Sequence, residues 1–156
     1  MTPRLPPSVY NKHKGEGNKK LFVKLIQSQE PLGVIGFAGE TPISWCSISP
    51  KDRLLQMRNS RIMQSTTDAD VWSIVCLFVE KEYRRKGISS KIISAAADYA
   101  FSQGAKIVEA YPVVSRSGKM PDAFAWNGIW SSYKKAGFTE VKKLSDTRLI
   151  MQLKRS

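Results

Sequence analysis

Val71 to Gly104 reads VWSIVCLFVEKEYRRKGISSKIISAAADYAFSQG, and this stretch decides the fold. Val71 to Val79 is a nearly unbroken run of strand formers, the pattern of a strand covered on both faces, so it belongs in mid-sheet. From Ile88 to Gln103 the period turns helical. Ile88, Ile92, Ala95 or Ala96 and Tyr99 then share one face, and Gly104 stops the helix as the residue after its C-cap.

Between strand and helix stands Glu80-Lys81-Glu82-Tyr83-Arg84-Arg85-Lys86-Gly87-Ile88-Ser89-Ser90, where three consecutive cations meet a glycine at a helix start. A helix N-terminus presents unpaired N–H groups and the positive end of the helix dipole, and glycine accepts positive φ and lets a ligand approach the backbone. A phosphate fits this environment. Taken alone, the same residues also read as a solvated surface turn with Ser89 and Ser90 as caps.

Arg84-x-x-Gly87-x-Ser89, placed between a buried strand and a helix, resembles the acetyl-CoA pyrophosphate loop of the GNAT superfamily of N-acetyltransferases. Tyr133-Lys134-Lys135-Ala136-Gly137-Phe138 resembles that superfamily's late tyrosine and the Gly-Phe pair opening the next strand. By element order the resemblance spans roughly Leu32 to Leu153. Ser89 departs from the pattern, which prefers Gly or Ala there, although a small residue still fits.

The resemblance implies an α/β fold: a single GNAT-like domain over residues 18–156, with a mixed β-sheet flanked by helices and a central parallel strand pair splayed at the CoA site. It implies acetyl-CoA as acyl donor and an amine as acceptor, the amine attacking the thioester directly. Arg84, Arg85, Lys86, Gly87, Ile88, Ser89 and Ser90 would hold the pyrophosphate, and backbone at Leu77, Phe78 and Val79 would pair with the pantetheine arm. Asn127 joins the cofactor-binding set. Tyr133 matches the position that donates a proton to the CoA thiolate; the other reading of Tyr133 is an aromatic packed on its helix.

Outward from the central unit, Ala105 to Tyr111 reads as a strand closed by Pro112. A strand–helix–strand unit with a helix of this length makes a right-handed crossover, so the two strands are expected to be parallel neighbours. Leu32 to Ala38 and Pro42 to Ile48 read as a hairpin turning at Gly39-Glu40. Ser49 then reads as an N-cap with Pro50 at the first helical position of a short helix through Leu54 and Leu55. Arg53, Arg58 and Arg61 make that region basic, either as an anion-attracting rim or as a solvated face. Gln64 to Asp70 reads as a polar loop.

Upstream, residues 1–17 carry Pro3, Pro6 and Pro7 and then Lys and Gly, and read as a flexible basic arm where GNAT domains commonly have a first strand. Asn18 reads as the cap of a helix to about Gln29, with Leu21, Phe22, Leu25 and Ile26 on its buried side. Downstream, Val113 to Asp122 reads as a long loop on the substrate side. Ala123 to Ala136 carries Phe124, Trp126, Ile129, Trp130 and Tyr133, with Asn127 as the cap of a helix Gly128 to Ala136. Phe138 to Leu144 and Thr147 to Leu153 close the chain as an antiparallel pair turning at Ser145-Asp146.

For a general base, Glu109 is the first candidate, because a carboxylate inside a strand is unusual unless it faces a cleft or meets a cation. Glu80, at the end of the central strand, is the second, and a water chain is the alternative to both.

The chain has 156 residues, the length of one domain. Its 25 Lys and Arg against 13 Asp and Glu, net charge +12, favour anionic partners. A basic nucleic-acid-binding module is therefore the competing function, with acetylation of an RNA- or ribosome-associated amine as a combined reading. A homodimer is compatible with everything above. No run approaches a membrane span and the N-terminus lacks the apolar core of a signal peptide, so a cytoplasmic protein without a membrane partner is expected. Cys46 and Cys76 lie in apolar strand-like runs with no metal-site spacing, and the single histidine, His13, sits in a polar segment. Neither a metal centre nor cysteine–histidine catalysis is expected.

Overall fold

The computed structural model describes residues 4–58, 60, 70–114 and 127–155. Helices α1 (Pro7–Lys12) and α2 (Glu16–Gln27) lead into the hairpin β1 (Val34–Ala38) and β2 (Thr41–Pro50). A 3₁₀ turn (Lys51–Arg53) and α3 (Leu55–Arg58) precede β3 (Val71–Val79), a second 3₁₀ turn (Lys81–Tyr83) and α4 (Ile88–Ser102). The chain continues through β4 (Ile107–Ala110), α5 (Trp130–Lys135), β5 (Thr139–Ser145) and β6 (Arg148–Lys154).

Among the described residues, six strands form one mixed sheet in the order β1-β2-β3-β4-β6-β5. Only β3 and β4 run parallel, as the crossover through α4 requires; all other neighbours are antiparallel. β3 carries no charged residue, and from Trp72 to Val75 it is buried on both faces. One face holds Cys46, Ile48, Trp72, Ile74, Val108, Ala110 and Met151 against Ile92, Ile93, Ala96, Ala97 and Ala100 of α4. The other gathers Val75, Tyr111 and Ile150 beneath Leu54 and Met57. The outer strand β5 is almost wholly exposed and carries Glu140, Lys142 and Lys143, charges that discourage further pairing at that edge.

Helix α4 ends as expected. Gly104 takes φ +94°, its N–H bonds Phe101 O at 3.1 Å, and the Ala105 N–H bonds Ala100 O at 3.0 Å, which satisfies two carbonyls of the last turn. The buried stripe, however, is Ile92, Ile93, Ala96, Ala97 and Ala100, with Ile88 and Tyr99 half-buried and Ala95 exposed. The helix is rotated about its axis because α4 packs against β1 and β2 as well as β3.

Several other local readings differ from the structure. Within the segment read as an arm, Pro7–Lys12 is helical, and the buried Arg4 donates to Leu32 O at 3.3 Å and to the Ser49 hydroxyl. Asn18 does not cap α2, which starts at Glu16 after Gly15; it lies inside the helix, donating from Nδ2 to Tyr10 O at 3.0 Å. Ile26 is exposed rather than buried. Ser49 and Pro50 belong to β2, where Ser49 pairs with Ser73, because a strand partner is available to this segment. Helix α5 starts at Trp130 after Ile129, so Asn127 is not its cap. Arg61, Phe124, Trp126 and most of the loops Gln64 to Asp70 and Val113 to Asp122 lie outside the described residues, as does the Arg58 side chain.

Candidate active site

The parallel pair is short. β3 and β4 register from Val71↔Ile107 to Ile74↔Ala110 and then part. Pro112 has no N–H to offer a ladder, and the residues after it bond elsewhere: Val113 N–H to Gly128 O at 3.2 Å and Val114 N–H to Thr147 O at 2.9 Å. The β4-side edge of residues 75–79 is thus left without a strand partner among the described residues, opening a gap at the carboxyl end of two parallel strands. The Glu80 N–H bonds Ile43 O on β2 at 2.8 Å. By strand alternation the peptide groups of Leu77 and Val79 face the gap, while those of Phe78 face β2.

At the end of β3 the basic turn folds over the strand. Arg84 Nε donates to Val79 O at 2.9 Å, so one of the three cations is anchored to the strand end. Arg85 takes φ +60°, and Gly87, the N-cap of α4, takes φ +77°. No side chain caps the helix; Ser90 Oγ instead donates to Gly87 O at 2.9 Å. A Cβ on Gly87 would meet nothing within 4 Å, so the glycine is required by its φ and by the open approach to the helix start. Arg85, Lys86 and Gly87 are exposed and Ile88, Ser89 and Ser90 half-buried, which leaves the positive end of a 15-residue helix facing solvent among cations.

On the α4 side the gap is bordered by Tyr133. This fully buried side chain donates from its hydroxyl to Asn127 O at 2.9 Å and packs edge-on against Phe138 with centroids 5.3 Å apart. Burial pushes its pKa well above the ordinary 10, with Cys46 and Cys76 adding to the rise, so the hydroxyl keeps its proton. A Cβ at Gly128 would sit 3.2 Å from the Tyr133 hydroxyl and 3.3 Å from the Leu77 side chain, which places both groups around one glycine. The buried Asn127 contributes its carbonyl here.

The two candidate carboxylates are far apart. Glu109 is fully buried on the face opposite α4, with Lys51 Nζ 2.6 Å from Oε1, the Tyr111 hydroxyl donating to Oε1 at 3.4 Å and Gln152 Nε2 donating to Oε2 at 3.4 Å. Glu80 is exposed beyond the other end of β3, where it accepts from Lys81 N–H at 3.1 Å. Glu109 lies opposite Ser73, and at about 3.3 Å per residue Glu80 is roughly 20 Å further along the strand. They cannot serve the same reacting atom.

The registers show a row that sequence reading missed. Ser49↔Ser73, Ser73↔Glu109 and Glu109↔Gln152 are consecutive cross-strand pairs, so four buried polar side chains cross the sheet in line. Arg4 bonds the row at its Ser49 end, and Lys51 bonds it at Glu109. Its members come from four strands and two flanking segments. The only local signal is the presence of Ser, Glu and Gln in otherwise apolar strands, which says that partners exist without naming them.

The model of the acetyltransferase (GNAT) family matches residues 4–118. Among solved structures, the chain is similar to the PaiA N-acetyltransferase of Thermoplasma acidophilum in complex with coenzyme A, at 17% identity and TM-score 0.57, covering 94% of this chain and 75% of that one. It is also similar to the aminoglycoside acetyltransferase AAC(6')-Ib in complex with coenzyme A, at 18% identity and TM-score 0.61, covering 90% and 76%. A third similar structure is a chain of the NatC complex bound to Gag peptide and CoA, at 16% identity and TM-score 0.54, covering 88% and 79%. No curated protein matches the chain in sequence.

Proposed function

The chain belongs to the GNAT acetyltransferase family, and on that premise we propose that it transfers an acetyl group from acetyl-CoA to a primary amine. The observation that carries this reading is the parting of β3 from β4 beside a positive-φ glycine and a basic turn at the start of α4. Arg85, Lys86 and the amides from Gly87 to Ser90 suit a pyrophosphate; Arg84 shapes the turn through Val79. The edge of Leu77 and Val79 suits the amides of a pantetheine arm, which would add itself to the sheet as a missing strand.

In the reaction the amine lone pair attacks the thioester carbonyl carbon. A C–N bond forms, the C–S bond breaks, and the thiolate takes a proton while the nitrogen loses one. Tyr133 is the donor in this proposal: burial keeps its hydroxyl protonated, and it borders Leu77. Glu109 is the acceptor, reached from the gap through the Tyr111 hydroxyl, which lies one residue past the last β3–β4 pair. Glu80, outside the gap, is assigned no proton transfer.

Calorimetric titration with acetyl-CoA, followed by release of free CoA across a panel of amines, tests the reading. Absence of acetyl-CoA binding by the folded protein overturns it.

A further inference from the structure

The face of the sheet opposite α4 carries an apolar row at the gap. Ile35 pairs with Trp45 and Trp45 with Phe78, so three large side chains from β1, β2 and β3 stand in line. Ile35 is 53% and Phe78 48% exposed, and Trp45 is half-buried with its ring edge-on to Phe22 of α2 at 6.4 Å. Single exposed hydrophobes are ordinary on a protein surface; a contiguous row of them beside a cleft is not. That the row faces away from α4 follows from alternation. Ser44, one residue from Trp45, sits on the α4 side, where a Cβ at Gly36 would touch both the Ser44 hydroxyl and Ile92.

Position makes this row part of the site. Phe78 lies between Leu77 and Val79, whose peptide groups face the gap, so a molecule seated on the Phe78 ring is about one side chain away from it. α4 covers the other face, and this one carries the exposed Ile35 and Phe78 side chains. Neighbouring strands are about 4.8 Å apart, so the row spans roughly 10 Å, enough for a flat ring and a short chain. Ring faces attract ammonium groups.

We propose that Ile35, Trp45 and Phe78 form the acceptor platform and select primary amines carried on an aromatic or other flat apolar body, an arylalkylamine chemistry, over polyamines and sugar amines. This rests on the acetyltransferase reading.

The test measures kcat/KM by CoA release for tryptamine and 2-phenylethylamine against putrescine and kanamycin, after acetyl-CoA binding has been measured on the same full-length protein. Seating one ring face on the platform gives the aromatic amines an advantage of about tenfold or more. Phe78→Ser lowers the aromatic-to-polar ratio about tenfold, as expected from the apolar contact removed. Because both substrates report on the same preparation, the ratio is independent of how much of the variant folds. Ile35→Ser, further from the gap, lowers it less.

If acetyl-CoA binds and polar amines are used as well as or better than aromatic ones, or the ratio is unchanged in Phe78→Ser, the platform proposal falls and the acetyltransferase reading stands. Ratios unchanged in both variants, with loss of a dimer in Ile35→Ser on sedimentation, would make the row an interface between copies and overturn the proposal too. Failure to bind acetyl-CoA removes both.

Discussion

Lys51 Nζ lies 2.6 Å from Glu109 Oε1 beneath the face of the sheet opposite α4, with the two side chains 10% and 0% exposed. Two opposite charges taken out of water support each other only as a pair, so removing one leaves the other buried and uncompensated. Glu109→Gln is therefore expected to lower unfolding stability by about 3–5 kcal/mol in urea denaturation, and replacing both residues by methionine to restore most of that loss. A Glu109→Gln protein within about 1 kcal/mol of wild type would mean that the pair is dispensable in the fold.

Gly87→Glu places a carboxylate at the start of α4 in open space, where a Cβ meets no neighbour. The positive φ costs a non-glycine residue about 1–2 kcal/mol, which a domain of this size tolerates. Acetyl-CoA binding should be lost on calorimetry while circular dichroism is retained. Unchanged affinity would remove the pyrophosphate from this turn.

Tyr133→Phe deletes only the hydroxyl that donates to Asn127 O. Turnover is expected to fall by roughly 10²–10⁴ with little change in acetyl-CoA affinity, because general acid catalysis is lost while the ring still packs on Phe138. Turnover near wild type would leave Tyr133 a packing residue and give the proton to water.

Tyr111→Phe breaks the hydroxyl contact to Glu109 while keeping the buried ring. If that hydroxyl passes the amine's proton to Glu109, kcat should drop by about tenfold or more with KM for acetyl-CoA preserved. No change in kcat would assign deprotonation to solvent.

Burial raises the pKa values of Cys46, Tyr111 and Tyr133 from ordinary values of 9.0, 10.0 and 10.0. The fold then holds protons that the unfolded chain releases, so stability is intact below pH 9 and declines as pH rises through the unfolded values. Cys76 is raised by burial as well, so the decline steepens above pH 10, where thiols and phenols contribute together. Urea midpoints measured from pH 8 to 10.5 check this; a flat profile would mean that these groups ionise in the fold as they do in the unfolded chain.

The sequence by itself determined the central unit, because its signals are local. An apolar run with no charge makes β3 a covered strand, a 3.6-residue period makes α4, and Gly87 and Gly104 bound that helix by their conformational freedom. The parallel pairing of β3 and β4 followed from the length of the crossover, and the Arg84–Gly87 segment was legible as a strand-to-helix turn with a positive-φ glycine from residue types and order. Local signals failed where a distant partner changed the outcome. Ser49 and Pro50 resemble a helix start until Ser73 offers β2 a longer ladder, and Asn18 resembles a cap until the Tyr10 carbonyl takes its amide into the helix interior. The row from Ser49 to Gln152, the Lys51–Glu109 pair and the Ile35–Trp45–Phe78 platform depend on cross-strand register, which is set by bulges near Gly36 and Ser47 and by where β4 ends. A shift of one residue in register turns every side chain of a strand to the opposite face, so only the assembled sheet decides which residues meet at the gap.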